Sequence, residues 1–336
     1  MNNILLFLTP LFIFVIVALL GFVGCGEFLP APEEEQPAPP PRPEPRDPFD
    51  PAGAYKPPTG PHLPPTALTY QDIVTSVKGF TAFWPLNETA GTIVSYVGNL
   101  TPPANGEFKS ASGANASFGS YSLGREGVLF GKDKTDFAVD LGGTEAFIEV
   151  PFVGALNPVS TPTGFSIELW AKPDLTRGAD RGGLVSSHHI DSATSQQGYE
   201  IALLKVPGQA HQQVYARVYG GAAMVSSEIS LQPADGDGDP NDWRHIVFKY
   251  GFVAGKGFQI LLRVQVLKST QVYRAESTTP ILYENVAPAK PSTLRFGGTH
   301  LPQNVSALYA GLLDNIAFYN AMVDDSVFDD HYKMAL

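Results

Sequence analysis

The sequence predicts an all-β sandwich or barrel, carried on an N-terminal hydrophobic segment and a proline-rich stalk. Short runs rich in β-branched and aromatic residues, separated by Gly, Pro, Asn and Asp, dominate from about Thr69 onward. Apolar and polar residues alternate through Phe165-Ser166-Ile167-Glu168-Leu169, and again along Phe258 to Val266, as on strands with one buried face. No repeat recurs at a fixed period of about 20–50 residues, which disfavours a propeller or solenoid. A chain of 336 residues is longer than one average domain. All-β sandwiches nevertheless run to about 200–250 residues as one unit. One large domain over 69–336, plus a tether, is therefore expected.

The first element is an uncharged apolar run, Ile4 to Val23, long enough for a signal-peptide core or a spanning helix. It ends at Cys25, the single cysteine of the chain, so neither an intramolecular disulfide nor a cysteine metal site can form. Residues Phe22-Val23-Gly24-Cys25 resemble a bacterial lipobox, in which the cysteine is lipidated and becomes the mature N-terminus. Phe22 is bulkier than the usual leucine, and Met1-Asn2-Asn3 lacks the positive charge of an n-region. Residues 1–25 thus read as a lipoprotein signal peptide or as an uncleaved membrane anchor.

Residues 26–68 follow as a stalk, with Pro30 to Pro65 too proline-rich and too poor in aliphatics to pack. In polyproline II geometry this stretch would reach roughly 100 Å. Arg42, Arg46 and Lys56 would favour a cytoplasmic side, but Glu33-Glu34-Glu35 and other acids offset them, and an extracytoplasmic, membrane-anchored surface location is expected.

Within the domain, Tyr70 to Lys78 predicts a short lead-in helix, and Asp324 to Met334 a C-terminal helix capped by Asp324. Between them, strands are expected at 145–151, 165–169, 182–188, 199–204, 213–219, 224–231, 243–250, 258–266, 280–285, 293–297 and 308–319. The net charge of −11 and the absence of a basic stripe argue against nucleic acid and against adsorption to anionic lipid. Any membrane attachment must come from the N-terminus.

Five segments carry a resemblance: Phe83 to Thr92, Ala146 to Pro151, Phe165 to Pro173, Trp243 to Val247 and Gly311 to Asn320. Taken in order, with all three tryptophans inside them, they resemble the landmarks of the concanavalin A-like, laminin G-type domain across about 80–330. The resemblance implies a jelly-roll sandwich of two curved antiparallel sheets. It also implies a calcium ion held by an aspartate of the last strand and by carbonyls near the first. That role falls on Asp314, with Asn87 and Glu88 as neighbours.

Strand parity independently places Asp314 with Leu312, Ile316 and Phe318 on an apolar face, where a bare carboxylate is costly. Calcium, or backbone N–H groups of a facing loop, would satisfy it. A second calcium candidate is the loop holding Asp235, Asp237 and Asp239. It departs from an EF-hand because Pro240 replaces the glycine and Ile246 the bidentate glutamate.

His188 and His189 are adjacent on a strand and point to opposite faces, so a shared zinc is not expected; His245 is expected to pack or hydrogen-bond. No Glu-x-Asp-x-x-Glu cluster supplies a glycosidase acid and nucleophile, and neither Gly-x-Ser-x-Gly nor His-Glu-x-x-His occurs. A sugar platform would use Tyr199, Tyr215, Tyr219 and Tyr121, although packing across strands is the favoured reading of each. The expected function is a non-catalytic, surface-anchored module binding glycans or glycoconjugates, with calcium as a structural ion. The alternative is an adhesive envelope protein contacting another cell-surface protein, and a glycoside hydrolase ranks third.

Overall fold

Lys172, Trp170 and Glu168 point away from the sandwich interior while their neighbours Ala171, Leu169 and Ile167 point into it, and yet all but Lys172 are fully buried. Both faces of this strand are covered, one by a second sheet and one by helices. The computed structural model describes residues 68–336 except 111, 118, 144, 158–163, 178–179, 193–194, 206–211, 232–240, 283–291 and 301–306. The expected signal or anchor helix, the stalk and Cys25 therefore lie outside the described residues, as do Asp235, Asp237 and Asp239. No helix among the described residues is long and apolar enough to cross a membrane.

The chain enters through α1 (Tyr70–Ser76) and continues through β1 (Phe80–Trp84), β2 (Ile93–Val94), β3 (Val97–Gly98), β4 (Gly106–Ser110), β5 (Tyr121–Glu126), β6 (Phe137–Gly142) and β7 (Ala146–Val150). Next come β8 (Phe165–Pro173), β9 (Arg181–Ser186), β10 (His189–Ser192), β11 (Ser195–Lys205), β12 (Gln212–Gly221) and β13 (Ala223–Leu231). It ends with β14 (Arg244–Val253), β15 (Gly257–Val266), β16 (Tyr273–Glu276), β17 (Leu294–Phe296), β18 (Ala310–Tyr319) and α2 (Asp325–Ala335).

Two nine-stranded antiparallel sheets result. Sheet A runs β16-β15-β14-β8-β18-β1-β3, with β6 beside β18 and β5 beside β6; sheet B runs β13-β12-β11-β9-β17-β7-β4-β2, with β10 beside β11. Most sequence-placed strands appear within a residue or two, because alternation marks them. No strand forms at 280–282, where Ile281 N–H and carbonyl O serve Phe258 and the Tyr250 hydroxyl instead. The sequence pattern marks no strand at β1 to β6, β10 or β16, whose runs are short, and those of β4, β5 and β6 are interrupted by Gly, Lys, Arg and Asp.

The inner faces of both sheets interdigitate in one core, with Ile167, Phe248, Val264 and Phe318 of sheet A meeting Ile148, Ile201, Val218 and Phe296 of sheet B. Burying each such side chain contributes about 1.5–3 kcal/mol. A second cluster lies outside sheet A, where Trp170, Val247 and Tyr319 meet Tyr70 and Val74 of α1 and Phe328 and Tyr332 of α2.

Both helices carry the caps their sequences announce. Thr69 and Asp72 form a reciprocal capping box on α1. The Asp324 carboxylate accepts from Ser326 N–H at 3.1 Å on α2. Phe328, His331 and Tyr332, spaced three and four apart, give α2 its buried stripe. Lys249 and Arg274 hold the Asp325 carboxylate, and Arg263 holds Asp329 at 2.5 Å, which fixes the helix against β14, β15 and β16.

β18 forks sheet A. Its residues 310–313 pair with β6 and 316–319 with β1, while β8 lies along its other edge. Where the ladder changes partner, a bulge spans Asp314 to Ala317, and Asn315 adopts φ +49°, a conformation asparagine tolerates better than most residues. The extra residue reverses parity. Ile316 and Phe318 face the inter-sheet core, whereas Leu312 shares the outer face with Lys172 and Asp140. The simple alternation that grouped Asp314 with Ile316 and Phe318 is thereby corrected: Asp314, two residues from Leu312 and opposite Trp170, faces outward from sheet A.

Candidate functional site

Four buried acids, at three places, mark the outer faces of the two sheets among the described residues. Glu168, on β8, is 0% exposed and receives hydrogen bonds from every side. Tyr319 Oη donates to Oε2 at 2.9 Å and Tyr70 Oη to Oε1 at 3.2 Å. His245 Nε2 lies 2.6 Å from Oε1, and His331 Nδ1 lies 2.8 Å from Oε2. The indole N–H of Trp170 donates in turn to Tyr70 Oη at 3.0 Å.

Burial alone would raise the Glu168 pKa, but the charge of His331 and the hydrogen bonds from His245 and His331 outweigh it and hold the carboxyl well below its usual range. Burial pushes His331 down and the Glu168 charge more than restores it, so His331 sits above the ordinary histidine value. His245, in contrast, is pushed down by burial and stays neutral, donating through Nε2. This centre is closed to solvent and every partner is protein, so it serves as a structural lock between sheet A and both helices.

Asp314 has a different neighbourhood. Its Oδ2 accepts from Val128 N–H at 2.8 Å, while Asp136 Oδ2 accepts from Leu129 N–H at 2.6 Å. Both carboxylates press on Gly127, where a Cβ would lie 2.3 Å from Asp136 Oδ2 and 2.8 Å from Asp314 Oδ2. Only glycine lets this loop lie so close. Asp314 Oδ1 is buried without a hydrogen-bond partner. Burial first, opposed by the Leu129 N–H, pushes Asp136 up to about 6, and burial together with the Asp136 charge pushes Asp314 well above its usual value.

The expected partners Asn87 and Glu88 do not reach Asp314 directly. Asn87 Oδ1 accepts from Phe137 N–H at 2.6 Å, one residue beyond Asp136, and Glu88 Oε1 accepts from Ser95 N–H at 2.7 Å. The turn at 87–88 thus braces the β5–β6 hairpin, and the second acid is Asp136, which sequence reasoning missed. One signal was available: Asp136 directly precedes the alternating run Phe137-Ala138-Val139-Asp140-Leu141 that forms β6.

Above Gly127 the outer face of sheet A is open beyond the helices. Two hollows of about 470 and 420 Å³ share Arg125, Lys172 and Leu312 as walls and form one polar cleft. The Trp243 edge and Glu126 complete one end; Asp140, Asp174, Thr176, Arg177 and Asn241 line the other. Arg177 bonds Asp140 at 2.8 Å and Asp174 at 2.5 Å. A separate hollow of about 790 Å³ lies between the helices, lined by Ile73, Val77, Met322, Val323 and Val327 among others, and is mainly apolar.

At the third place, Glu200 on β11 lies on the outer face of sheet B and is 0% exposed. Tyr215 Oη and Tyr219 Oη each donate to it at 3.2 Å, and Arg181 at 2.5 Å. The His188 ring stacks on Tyr219 with centroids 3.6 Å apart, and Arg217 covers Tyr215 at 4.3 Å. Tyr215 and Tyr219 are therefore committed to this cluster and are themselves buried. Tyr199 points the other way, into the inter-sheet core beside Phe165, with its hydroxyl donating to Leu156 O at 2.9 Å. Its ring offers no surface to a ligand. Among the described residues, no group of three or more His, Cys, Asp or Glu side chains is disposed to hold a metal ion.

No protein-family model matches the chain, and no curated protein sequence matches it. Solved structures do show likenesses. Domain 4 of AbnA, a GH43 extracellular arabinanase from Geobacillus stearothermophilus solved with arabinotriose, is 14% identical with TM-score 0.44, over 76% of this chain and 98% of that one. The botulinum neurotoxin serotype D/C binding domain is 10% identical with TM-score 0.46, over 77% of this chain and 52% of that one. The enzymatically active domain of bacteriophage CBA120 tailspike protein 2 is 11% identical with TM-score 0.44, over 67% of this chain and 30% of that one.

Proposed function

We propose that residues 69–336 are a non-catalytic binding module that takes up a glycan in the cleft over sheet A, and that the N-terminal segment holds the module on the outer side of a membrane. The observation that supports this most is the cleft itself. Its size matches small-ligand sites, and its walls bring guanidinium, ammonium, carboxylate and hydroxyl groups together around the apolar Leu312 and the edge of Trp243. Sugars combine polar hydroxyls with apolar C–H faces and suit such a surface. The buried acids are not placed for hydrolysis: Glu168, Asp314 and Glu200 are 0% exposed and Asp136 is 4% exposed, so none of these four can reach a glycosidic bond.

The pair Asp136 and Asp314 fits a calcium ion. Two adjacent carboxylates, an unpartnered Asp314 Oδ1 and a glycine cradle supply hard oxygen ligands, with backbone carbonyls and water to complete the shell. An ion there would neutralise the pair and stiffen residues 127–129 beneath the cleft.

A glycan array probed with the full chain, with calcium and then with chelator, tests the reading. Binding to a defined glycan class that is lost on Leu312→Arg, a change that fills the cleft, is expected; an array without a signal overturns it. Cys25→Ser tests the anchor, since loss of processing and of membrane partition is expected for a lipidated cysteine. A protein-contact reading draws on one feature, the exposed Phe252 and Leu282 at 56% and 66%, joined through Phe258 and Ile281 at one end of the sandwich.

A further inference from the structure

We infer that the glycan taken by the cleft is acidic, carrying a carboxylated sugar held between Arg125 and Lys172; this rests on the glycan reading above. Register places Lys172 on β8 opposite Leu312 of β18, and Leu312 opposite Asp140 of β6. Arg125 of β5 stands opposite Ala138 of β6. The two cations thus rise from either side of Leu312 and wall both hollows.

Their charges are unspent. Arg177, the third cation of the cleft, is bound to Asp140 and Asp174, which more than match it. Arg125 and Lys172 have no side-chain hydrogen bond or ion pair among the described residues, and Arg125 is exposed while Lys172 is half-buried. Glu126 is the remaining unpaired acid on the rim, so the lining holds three cations and three acids, with both acids of the far end gathered on Arg177 and away from Arg125 and Lys172.

Lys78, Lys134 and Lys268 also lack an ion pair among the described residues but stand apart from one another, whereas Arg125 and Lys172 line the same cleft. Arg125 offers a planar fork matched to a carboxylate, and Lys172 a point charge at the opposite wall. Leu312 between them suits the apolar face of the ring.

The experiment is an array of glycans printed in pairs, each acidic sugar beside its methyl ester, probed with the full chain at low and high salt. Binding to acidic members at least tenfold stronger than to their esters, and weakened by salt, is expected. Arg125→Gln and Lys172→Gln should each weaken acidic binding roughly tenfold and leave the melting temperature unchanged, since neither side chain carries an internal bond. Equal binding to acids and esters overturns the inference and leaves the glycan reading standing. No binding to any member overturns both.

Discussion

Glu168 and the pair Asp136 and Asp314 lie on the same outer face of sheet A, buried to a similar degree, yet their chemistry is opposite. Glu168 is met by two imidazoles and two hydroxyls, and its pKa falls. Asp314 is met by a second carboxylate, and although the Val128 N–H and Asn315 oppose it, burial and that carboxylate raise its pKa. Burial pushes every one of these carboxyls up; at Glu168 the His331 charge and the histidine hydrogen bonds overturn it, whereas at Asp314 the Asp136 charge adds to it. One centre is complete with protein groups alone, whereas the other calls for a proton or a cation.

The sharpest way to break this contrast is Glu168→Gln, which leaves the His331 charge buried without a counter-ion. A loss of about 3–5 kcal/mol in urea unfolding is expected, against little change if the centre were an incidental contact. The pH dependence carries the same message. A depressed Glu168 contributes stability that is present above its unfolded value of about 4.3 and is lost as pH falls through the lower folded value. A raised His331 contributes stability that is full below about 6.5 and is lost as pH rises through the higher folded value. Unfolding free energy attributable to this centre, taken as wild type minus Glu168→Gln, should therefore be flat between about pH 4.5 and 6.5 and fall on both sides.

The paired acids should behave in reverse. In chelator, stability should increase as pH falls from 7 through about 6, because the folded pair binds a proton that the unfolded chain does not. At pH 7.5 in chelator, Asp314→Asn removes the repulsion and should stabilise by about 1–3 kcal/mol. Added calcium should raise the melting temperature of the wild type and not of Asp314→Asn; an equal shift in both would place any ion elsewhere.

Gly127→Ala introduces a Cβ against both carboxylates and should cost about 1–3 kcal/mol with or without calcium, read by the same melts. Glu200 provides an intermediate case, satisfied by Arg181 and two tyrosines. Tyr219→Phe there should cost only about 0.5–1.5 kcal/mol, since the arginine remains.

Alternation was enough to find β8, β11, β12, β14 and β15, because their inward residues must be apolar for the two sheets to close. The cap Asp324 was equally legible, since a cap acts within three residues, and the structure adds Thr69 as the cap of α1. Alternation failed at Asn315, where one inserted residue turned the face of the strand, and a bulge leaves no mark in the pattern on either side. Glu168 could not be recognised as a centre because its partners lie 77, 98, 151 and 163 residues away along the chain. Only the closing of β8 against β14 and β18, under both helices, brings them to one point. Tyr199 shows the same limit from the other side: its position in a strand was clear, but which face it took depended on the whole register of sheet B.

Tyr70 gives the lock a mechanical meaning. The chain passes from Leu68 through the Thr69 cap straight into α1, and the first helical residue, Tyr70, already reaches Glu168. Tension arriving from the N-terminal side would be carried by a buried hydroxyl and then by β1, which is laced to β18 on one edge and β3 on the other. The N-terminal entry of the domain is thus tied to its interior by one buried hydroxyl and two strand ladders.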